Sequence, residues 1–371
     1  MGSELEPDLQ NWAERIKQLA VEHPLQIISW EATRRCNLCC VHCGSPSEDS
    51  NLIEELTTEE VVNAFDQIAA DFDMDKFHHI NITGGEPFVR SDLLVILEQL
   101  SRHSCYRNID IQTNGIYVAE HPGILPDLKQ LGVTGLGVSI DGLETTHNKF
   151  RRHPDGFRKA WQAAASAVQE GMVVTVSVVA HSQNIVEIPE LFRMVQTEIH
   201  PRFFRIMTID SIGRAELDRE YLLSDEQIAQ VIEFLKKQFM QNFETYADPS
   251  ATMVELGCGG WLGCELEGTF RPYFFHCIAG LNNLGILHDG KLASCSNISR
   301  EFVQGDLRQE RIKDVWDNRY QKFRVFDWKK TGPCVDCSEW PYCHGGPMHK
   351  RKLDGELLEC LYQRFYSVRR R

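Results

Sequence analysis

The sequence has no apolar run approaching the ~20 residues that a bilayer span requires. Its first residues, Met1-Gly2-Ser3-Glu4-Leu5-Glu6-Pro7, are acidic and contain no signal-peptide core. Met1-Gly2 opens a myristoylation pattern, but Glu6 stands where that pattern needs Ser or Thr. No low-complexity segment and no long repeat is present. Positive charge is scarce: 39 Lys+Arg face 53 Asp+Glu, a net −14. A general nucleic-acid binder needs the opposite balance, so no nucleic-acid partner is expected. The terminal Arg369-Arg370-Arg371 reads as a solvated tail. These absences lead us to expect a soluble, cytoplasmic chain with no membrane partner.

What is present is a globular composition, 42% hydrophobic and 25% charged, over 371 residues. That length predicts about two domains, unless a barrel takes most of it. There are 13 cysteines. In a reducing compartment, clustered cysteines read as metal sites or reactive thiols rather than disulfides. They fall into groups at residues 36–43, 258–295 and 334–360, with Cys105 alone as a buried small hydrophobe.

Residues 8–23 show helical spacing that Pro24 ends, and Leu25–Trp30 reads as a first strand. Strand signals follow at His79–Thr83, Asn108–Thr113, Gly135–Ile140, Val173–Val179 and Phe203–Met207. Helical stretches lie between them: Thr58–Phe72, Asp92–His103, Pro122–Leu131, Phe157–Glu170 and Glu187–Ile199. Thr57-Thr58-Glu59-Glu60 and Ser91-Asp92 have the chemistry of helix starts. This alternation predicts an α/β fold with a parallel sheet, a partial (β/α)6 TIM-like barrel with its chemistry at the strand C-termini. A further helix is expected over residues 222–245. Residues 1–24 read as an N-terminal helical segment, 25–250 as the partial barrel and 251–371 as a small Cys-rich α+β domain. That last region has strand signals at Gly285–His288 and Lys291–Ala293, and a helix over Ile312–Arg319.

Directly after the first strand comes Cys36-x-x-x-Cys40-x-x-Cys43. A cubane iron–sulfur cluster usually takes four cysteines. Three leave one iron open to another ligand. Zinc is the competing reading, with Cys39 or His42 completing a tetrahedron. Cys39 is off the spacing and is expected to point away. The loop resembles the signature of the radical SAM superfamily, whose open iron binds S-adenosylmethionine (AdoMet). Where members usually carry an aromatic residue before the third cysteine, this chain has His42, which can stack near the adenine. A second resemblance is Gly84-Gly85-Glu86-Pro87 after the second strand, which in the family contacts the cofactor's amino group. Glycines allow close backbone approach, and Glu86 can accept from an ammonium. Looser matches are Asn114 after the third strand, Ser139 and Asp141 at the end of the fourth, and Asn184 after the fifth. His147-Asn148-Lys149-Phe150-Arg151 resembles a segment whose arginine pairs with the cofactor carboxylate, with Asn148 replacing the usual Asp. Each of these alone is equally an ordinary polar loop residue.

The remaining cysteines read Cys277-x12-Gly290-x4-Cys295, then Cys334-x2-Cys337-x5-Cys343, then Cys360. The pattern resembles the SPASM extension, which holds up to two auxiliary [4Fe–4S] clusters. The run's fourth cysteine is replaced by Pro347. The resemblance implies a complete second site from Cys334, Cys337, Cys343 and Cys360. It implies a first site from Cys258, Cys264, Cys277 and Cys295, with an open iron if one upstream cysteine is not a ligand. His344 or His349 can substitute. A zinc ribbon is the alternative for the second set.

The resemblance implies a radical SAM oxidoreductase that cleaves AdoMet reductively to a 5′-deoxyadenosyl radical and takes hydrogen from a substrate. The expected substrate is a peptide or protein side chain, modified by crosslinking or oxidation. An external donor such as flavodoxin or ferredoxin is expected. Only about 24 residues precede the first strand, too few for a peptide-clasping domain. A leader would then need a separate binding protein or the barrel mouth. The alternatives are a small-molecule substrate such as a haem-pathway intermediate, and a non-catalytic iron–sulfur or zinc protein. No general base is apparent. Asp210, Arg214 and Tyr273 are singled out only by their expected nearness to the mouth.

Overall fold

The computed structural model describes residues 2–44, 54–242, 248, 250–271 and 273–369. Helix α1 (Gly2–Glu22) leads into β1 (Ile27–Thr33). Five β/α units follow through β2 (His79–Gly84), β3 (Ile109–Thr113), β4 (Val133–Ser139), β5 (Val173–Ala180) and β6 (Phe203–Thr208). The intervening helices are α2 (Thr58–Asp71), α3 (Leu93–Leu100), α4 (Ile116–Glu120), α5 (Ile124–Gln130), α6 (Glu144–Arg151), α7 (Gly156–Gln169) and α8 (Ile188–Met194). After β6 come α9 (Arg214–Leu217) and α10 (Asp225–Asn242). Of the helix expected over 222–245, residues 243–245 lie outside the described residues, as do Arg370 and Arg371. Arg369 is paired with Glu233.

The six strands expected from the alternation are present and parallel, within three residues of their expected bounds. The sheet does not stop with them. Strand β7 (Met253–Leu256) pairs parallel with β6, Phe204 opposite Val254. At the other edge β8 (Asn283–Ile286) pairs parallel with β1, Ile27 opposite Asn283. Antiparallel β9 (Lys291–Ala293) and β10 (Gly305–Asp306) complete the order β10-β9-β8-β1-β2-β3-β4-β5-β6-β7. Both edges of the open barrel are thus covered by chain from beyond residue 250, which leaves neither original edge strand with an unpaired ladder.

Local chemistry accounts for the elements. Thr57 Oγ1 accepts from Glu60 N–H at 3.2 Å and Glu60 Oε2 accepts from Thr57 N–H at 2.8 Å, a capping box that starts α2. Asp92 precedes α3 without capping it. Its carboxylate is taken by Arg90 (2.8 Å) and Thr58 Oγ1 (2.5 Å). On the helix-facing side of the sheet Ile80, Ile82, Ile111, Val176 and Ile206 are fully buried, each contributing about 1.5–3 kcal/mol. Helix α7 presents Ala160, Ala163, Ala164 and Ala167 to the core. Its small face lets α4 approach so closely that a Cβ on Gly115 would lie 2.9 Å from Ala160 Cα. The alternation did not mark α4 and α6. Helix α6 buries only His147 and Phe150, too sparse for a readable period.

The region after β10 adds α11 (Ile312–Arg319), α12 (Gln321–Arg324), α13 (Trp340–Cys343) and α14 (Leu361–Arg369) among short turns. Helix α1 packs on α12 and α13 and on the stretch between β7 and β8, where Leu9 joins Trp261 and Phe275 in one apolar cluster and Trp12 meets Phe274 edge-on at 6.2 Å. Among the described residues, no helix is long and apolar enough to cross a membrane.

Candidate active site

The loop after β1 is gripped from three sides. Val41 N–H donates to Phe150 O of α6 at 3.0 Å. Asn114 Nδ2 donates to Asn37 Oδ1 at 2.7 Å. From α9, Arg214 N–H donates to Cys43 O at 3.1 Å and its Nε to Cys40 O at 2.7 Å. Gly213 lies so close that a Cβ there would be 2.6 Å from Cys43 O. Held in this way, Cys36, Cys40 and Cys43 pack together around Leu38 and Ile116. Burial pushes the Cys36 thiol up to about 12, opposed by the Leu38 N–H and reinforced by Glu86, Cys40 and Cys43. Cys39 is exposed on the outer side, its Sγ 3.8 Å from Arg152 Nη1. Three grouped thiols with the fourth turned outward are a donor set that suits a cluster with one open iron.

The two glycines of Gly84-Gly85-Glu86-Pro87 serve the protein's own packing. A Cβ on Gly84 would overlap Thr33 O, and one on Gly85 would overlap Arg35 O. Gly85 N–H donates to Thr33 O at 2.7 Å and Glu86 N–H to Arg35 O at 2.9 Å. The close approach expected toward a cofactor is therefore an approach to the chain leading into the cysteine loop. Pro87 starts a buried 3₁₀ turn. The Glu86 side chain is 1% exposed and turns inward. It accepts from Thr113 Oγ1 (2.8 Å), Asn114 N–H (2.7 Å) and Phe88 N–H (3.3 Å). Burial pushes its carboxyl up to about 7 against those bonds.

A second network joins the ends of β4 and β5. Asp141, fully buried, accepts the Arg151 Nε through Oδ2 and the Val179 N–H through Oδ1 at 2.8 Å. Burial works to raise its pKa, but Arg151, His42 and His147 outweigh it and hold the carboxyl well below the usual range. Arg151 Nη1 lies 3.8 Å from Cys40 Sγ. Burial opposes its charge, and Asp141 and Cys40 keep it a fixed cation. Ser139 ends β4, half-buried. Asn184 is 0% exposed. Its Nδ2 donates to Asp141 O (2.9 Å) and Val179 O (2.8 Å), and its Oδ1 accepts from His181 N–H (2.8 Å). Both N–H groups of that amide are consumed inside the protein, which leaves only its oxygen to accept a further bond. His42 stacks on Phe150 at 4.5 Å and 8°, where an adenine partner was expected. Asn148, in place of Asp, pins the following turn through Pro154 O and Phe157 N–H, both at 2.8 Å.

The stretch between β7 and β8 crosses from one sheet edge to the other and carries three cysteines. Cys258, just past β7, is surrounded by protein atoms yet keeps exposed surface. Burial raises its thiol to about 12, and Cys295 and Cys277 add to the effect. Arg205, paired with Glu255 at 2.5 Å, lies beside it. Cys264 is not in this company. Its Sγ is 3.2 Å from Glu339 Oε2, which also accepts from Cys264 N–H (3.0 Å) and Trp261 Nε1 (2.8 Å). Burial and then Glu339 raise its pKa. The expected first set thus divides into Cys258, Cys277 and Cys295, which lie within electrostatic reach of one another, and Cys264, which is held by Glu339.

Cys334, Cys337, Cys343 and Cys360 line one small pocket of about 40 Å³, with Gly259, Gly260, Gly345 and Gly346 in its wall. Burial raises Cys343 to about 12, with Cys360 and Cys334 contributing. Pro347 packs on Gly260, where a Cβ would lie 3.2 Å from its ring. His349 Nε2 turns to Asp210 Oδ2 at 3.3 Å, away from the cysteines. His344 packs against Phe326 (4.6 Å) and lies 5.7 Å from the ring of His276. Lys329, Arg351 and Glu339 were not singled out by the sequence. They lie far along the chain from most of what they touch, and no motif marks them.

The Radical SAM superfamily model matches residues 30–195, and that of the SPASM iron–sulfur cluster-binding domain matches residues 277–338. The chain is 30% identical over 302 residues to Fe-coproporphyrin III synthase of Methanosarcina barkeri (strain Fusaro / DSM 804), covering 78% of this chain and 73% of that protein. It is 28% identical over 333 residues to PqqA peptide cyclase of Rhizobium meliloti (strain 1021), covering 85% and 80%. A solved structure of native anSMEcpe with bound AdoMet and Cp18Cys peptide shares the fold at a TM-score of 0.67 and 18% identity, covering 93% of this chain and 95% of that one.

Proposed function

We propose, for a chain that belongs to the radical SAM superfamily and carries a SPASM domain, that the substrate is a peptide or protein side chain modified by crosslink formation or oxidation. The chain is an oxidoreductase that uses AdoMet, a radical SAM [4Fe–4S] cluster and auxiliary cluster binding. Bound together, AdoMet and the reduced cluster supply a 5′-deoxyadenosyl radical that abstracts hydrogen. In this reading Cys36, Cys40 and Cys43 hold the radical SAM cluster. Arg151, fixed by Asp141, keeps positive charge beside Cys40, where a carboxylate finds its partner. The backbone of Gly84–Pro87 and Ser139 line the strand ends. Glu86, Asn114 and Asn184 act by positioning: the first two brace the cysteine loop, and the third braces Asp141. Cys258, Cys277 and Cys295 hold a first auxiliary cluster with one iron free of protein thiolate. Cys334, Cys337, Cys343 and Cys360 hold a second.

The observation that carries the peptide reading is an open groove of about 670 Å³ between residues 209–223 and 349–364. Its wall mixes both signs of charge, with Asp210, Glu216 and Glu359 against Arg219, Lys352 and Arg364. Its inner edge includes Ile212, beside Gly44 and next to Cys43. An extended peptide, with its own amides and charges, finds partners along such a wall. A flavodoxin- or ferredoxin-type donor and a separate leader-binding protein complete the proposal.

The likeness to Fe-coproporphyrin III synthase favours a second reading, a tetrapyrrole substrate. The two are separated by incubating the reconstituted enzyme anaerobically with AdoMet and reductant, with either candidate peptides or Fe-coproporphyrin III. Peptide-dependent deoxyadenosine formation with loss of hydrogen from the peptide is expected. Conversion of the tetrapyrrole with no change in any peptide would replace this reading with the second.

A further inference from the structure

Among the described residues five lysines and arginines are buried: Arg90, Arg271, Lys329, Lys350 and Arg351. Three have a carboxylate. Arg90 pairs with Asp92, Arg271 with Glu267, and Lys350 with Asp210 and Glu359. The two left over are Lys329 and Arg351, each 2% exposed and in no ion pair. Burying an ion without a counter-charge costs several kcal/mol. Two such ions in one small region therefore call for an anion in the same place.

Both stand against cysteines. Arg351 Nη2 lies 3.0 Å from Cys334 Sγ, while its Nε and Nη1 donate to Gly345 O (2.7 Å) and Gly355 O (2.6 Å). These two bonds aim the guanidinium at the thiol. Lys329 lies over the Phe326 ring, its Nζ 4.9 Å from the centroid. Its electrostatic neighbours are Cys277 of the first auxiliary set and Cys343 and Cys334 of the second. Its stem and the Arg351 guanidinium both crowd Gly345, which lines the cavity of the second set, and the Phe326 ring beneath its ammonium lies 5.6 Å from that of His276, the neighbour of Cys277.

A cubane held by thiolates is anionic, and each electron added makes it more so. A fixed cation beside it favours the reduced form and raises its potential. We propose that Lys329 and Arg351 are the built-in counter-charges of the auxiliary clusters, Lys329 shared by both and Arg351 confined to the second. Lys329 thereby raises both auxiliary potentials together and keeps electron transfer between the clusters nearly level. Both residues are positioning residues, and their role rests on the assignment of these cysteine sets to clusters.

The test is Lys329→Met in the reconstituted full chain, with potentials read by electron paramagnetic resonance during redox titration. Both auxiliary potentials should shift downward while the radical SAM cluster's does not move. Lys329→Arg should restore them, and Arg351→Gln should lower only the second. Thermal melting adds a readout of opposite sign. Removing an unpaired buried charge should raise the melting temperature of the metal-free chain and lower that of the loaded one. Unchanged auxiliary potentials overturn the proposal, as does a metal-free Lys329→Met chain that melts below wild type or fails to fold. Wild-type protein holding about four irons in place of about twelve would instead overturn the ligand assignment beneath it.

Discussion

Cys258 and Cys264 are six residues apart within one stretch rich in glycine, and nothing in that stretch ranks them. The fold does. Cys258 is delivered by the end of β7 to Cys277 and Cys295, whereas Cys264 is captured by Glu339 from 75 residues away. Cys264→Ser should leave iron and sulfide content unchanged, because serine keeps a hydroxyl donor for Glu339. Cys258→Ser should cost about four irons per chain by colorimetric assay. Equal losses in the two variants would return Cys264 to the ligand set. Glu86 and Asn184 make the same point in the other direction. Their placement beside the site was legible in the motif, but only contacts reveal that their polar atoms bond within the protein.

At the scale of elements, the segment after β6 is the hinge of the design. It holds the cysteine loop through Gly213 and Arg214, lines the groove through Ile212, and docks the C-terminal region through Asp210. Asp210 is paired with Lys350 Nζ at 3.0 Å and His349 Nε2 at 3.3 Å. Burial pushes its carboxyl up, but these two partners win and hold it at about 2, against an ordinary value of 3.8. A folded-state pKa below the unfolded one stabilises above the unfolded value, and that stability is lost as pH falls toward the folded value. Asp210→Asn should therefore lower stability by about 2 kcal/mol at pH 7. The deficit should shrink between about pH 4 and pH 2, read by denaturant melts at each pH. A deficit independent of pH would mean that packing, not charge, is lost. The sequence marked Asp210 only as near the mouth. Its partners lie some 140 residues further along the chain, where no local period points back to it.

For the whole molecule, one open barrel is completed by chain that a linear reading assigns to a different domain. Strand β7 and strands β8 to β10 close over the two edges, and the cysteines between them are carried across. Replacing Cys36, Cys40 and Cys43 together by alanine should abolish deoxyadenosine formation from AdoMet under reductant, measured by chromatography. It should leave the auxiliary iron in place, because those sites are built from a separate part of the chain. Residual AdoMet cleavage in that variant would place the chemistry elsewhere.

What the sequence determines by itself is whatever short-range geometry controls. Three cysteines within eight residues must share a loop, so their convergence needs no tertiary information. Alternating periods of two and 3.6 dictate β/α units, and their parallel, right-handed assembly follows from the twist of the backbone. The capping box at Thr57 and Glu60 is legible for the same reason. What only the tertiary structure decides is which groups meet across the chain: Cys264 with Glu339, Asp210 with Lys350, and Lys329 with two sets of thiols. Those choices depend on burial and charge balance, which are properties of the packed interior. The cysteine spacing announces that clusters belong here, and two buried cations without carboxylates say how the interior accommodates their charge.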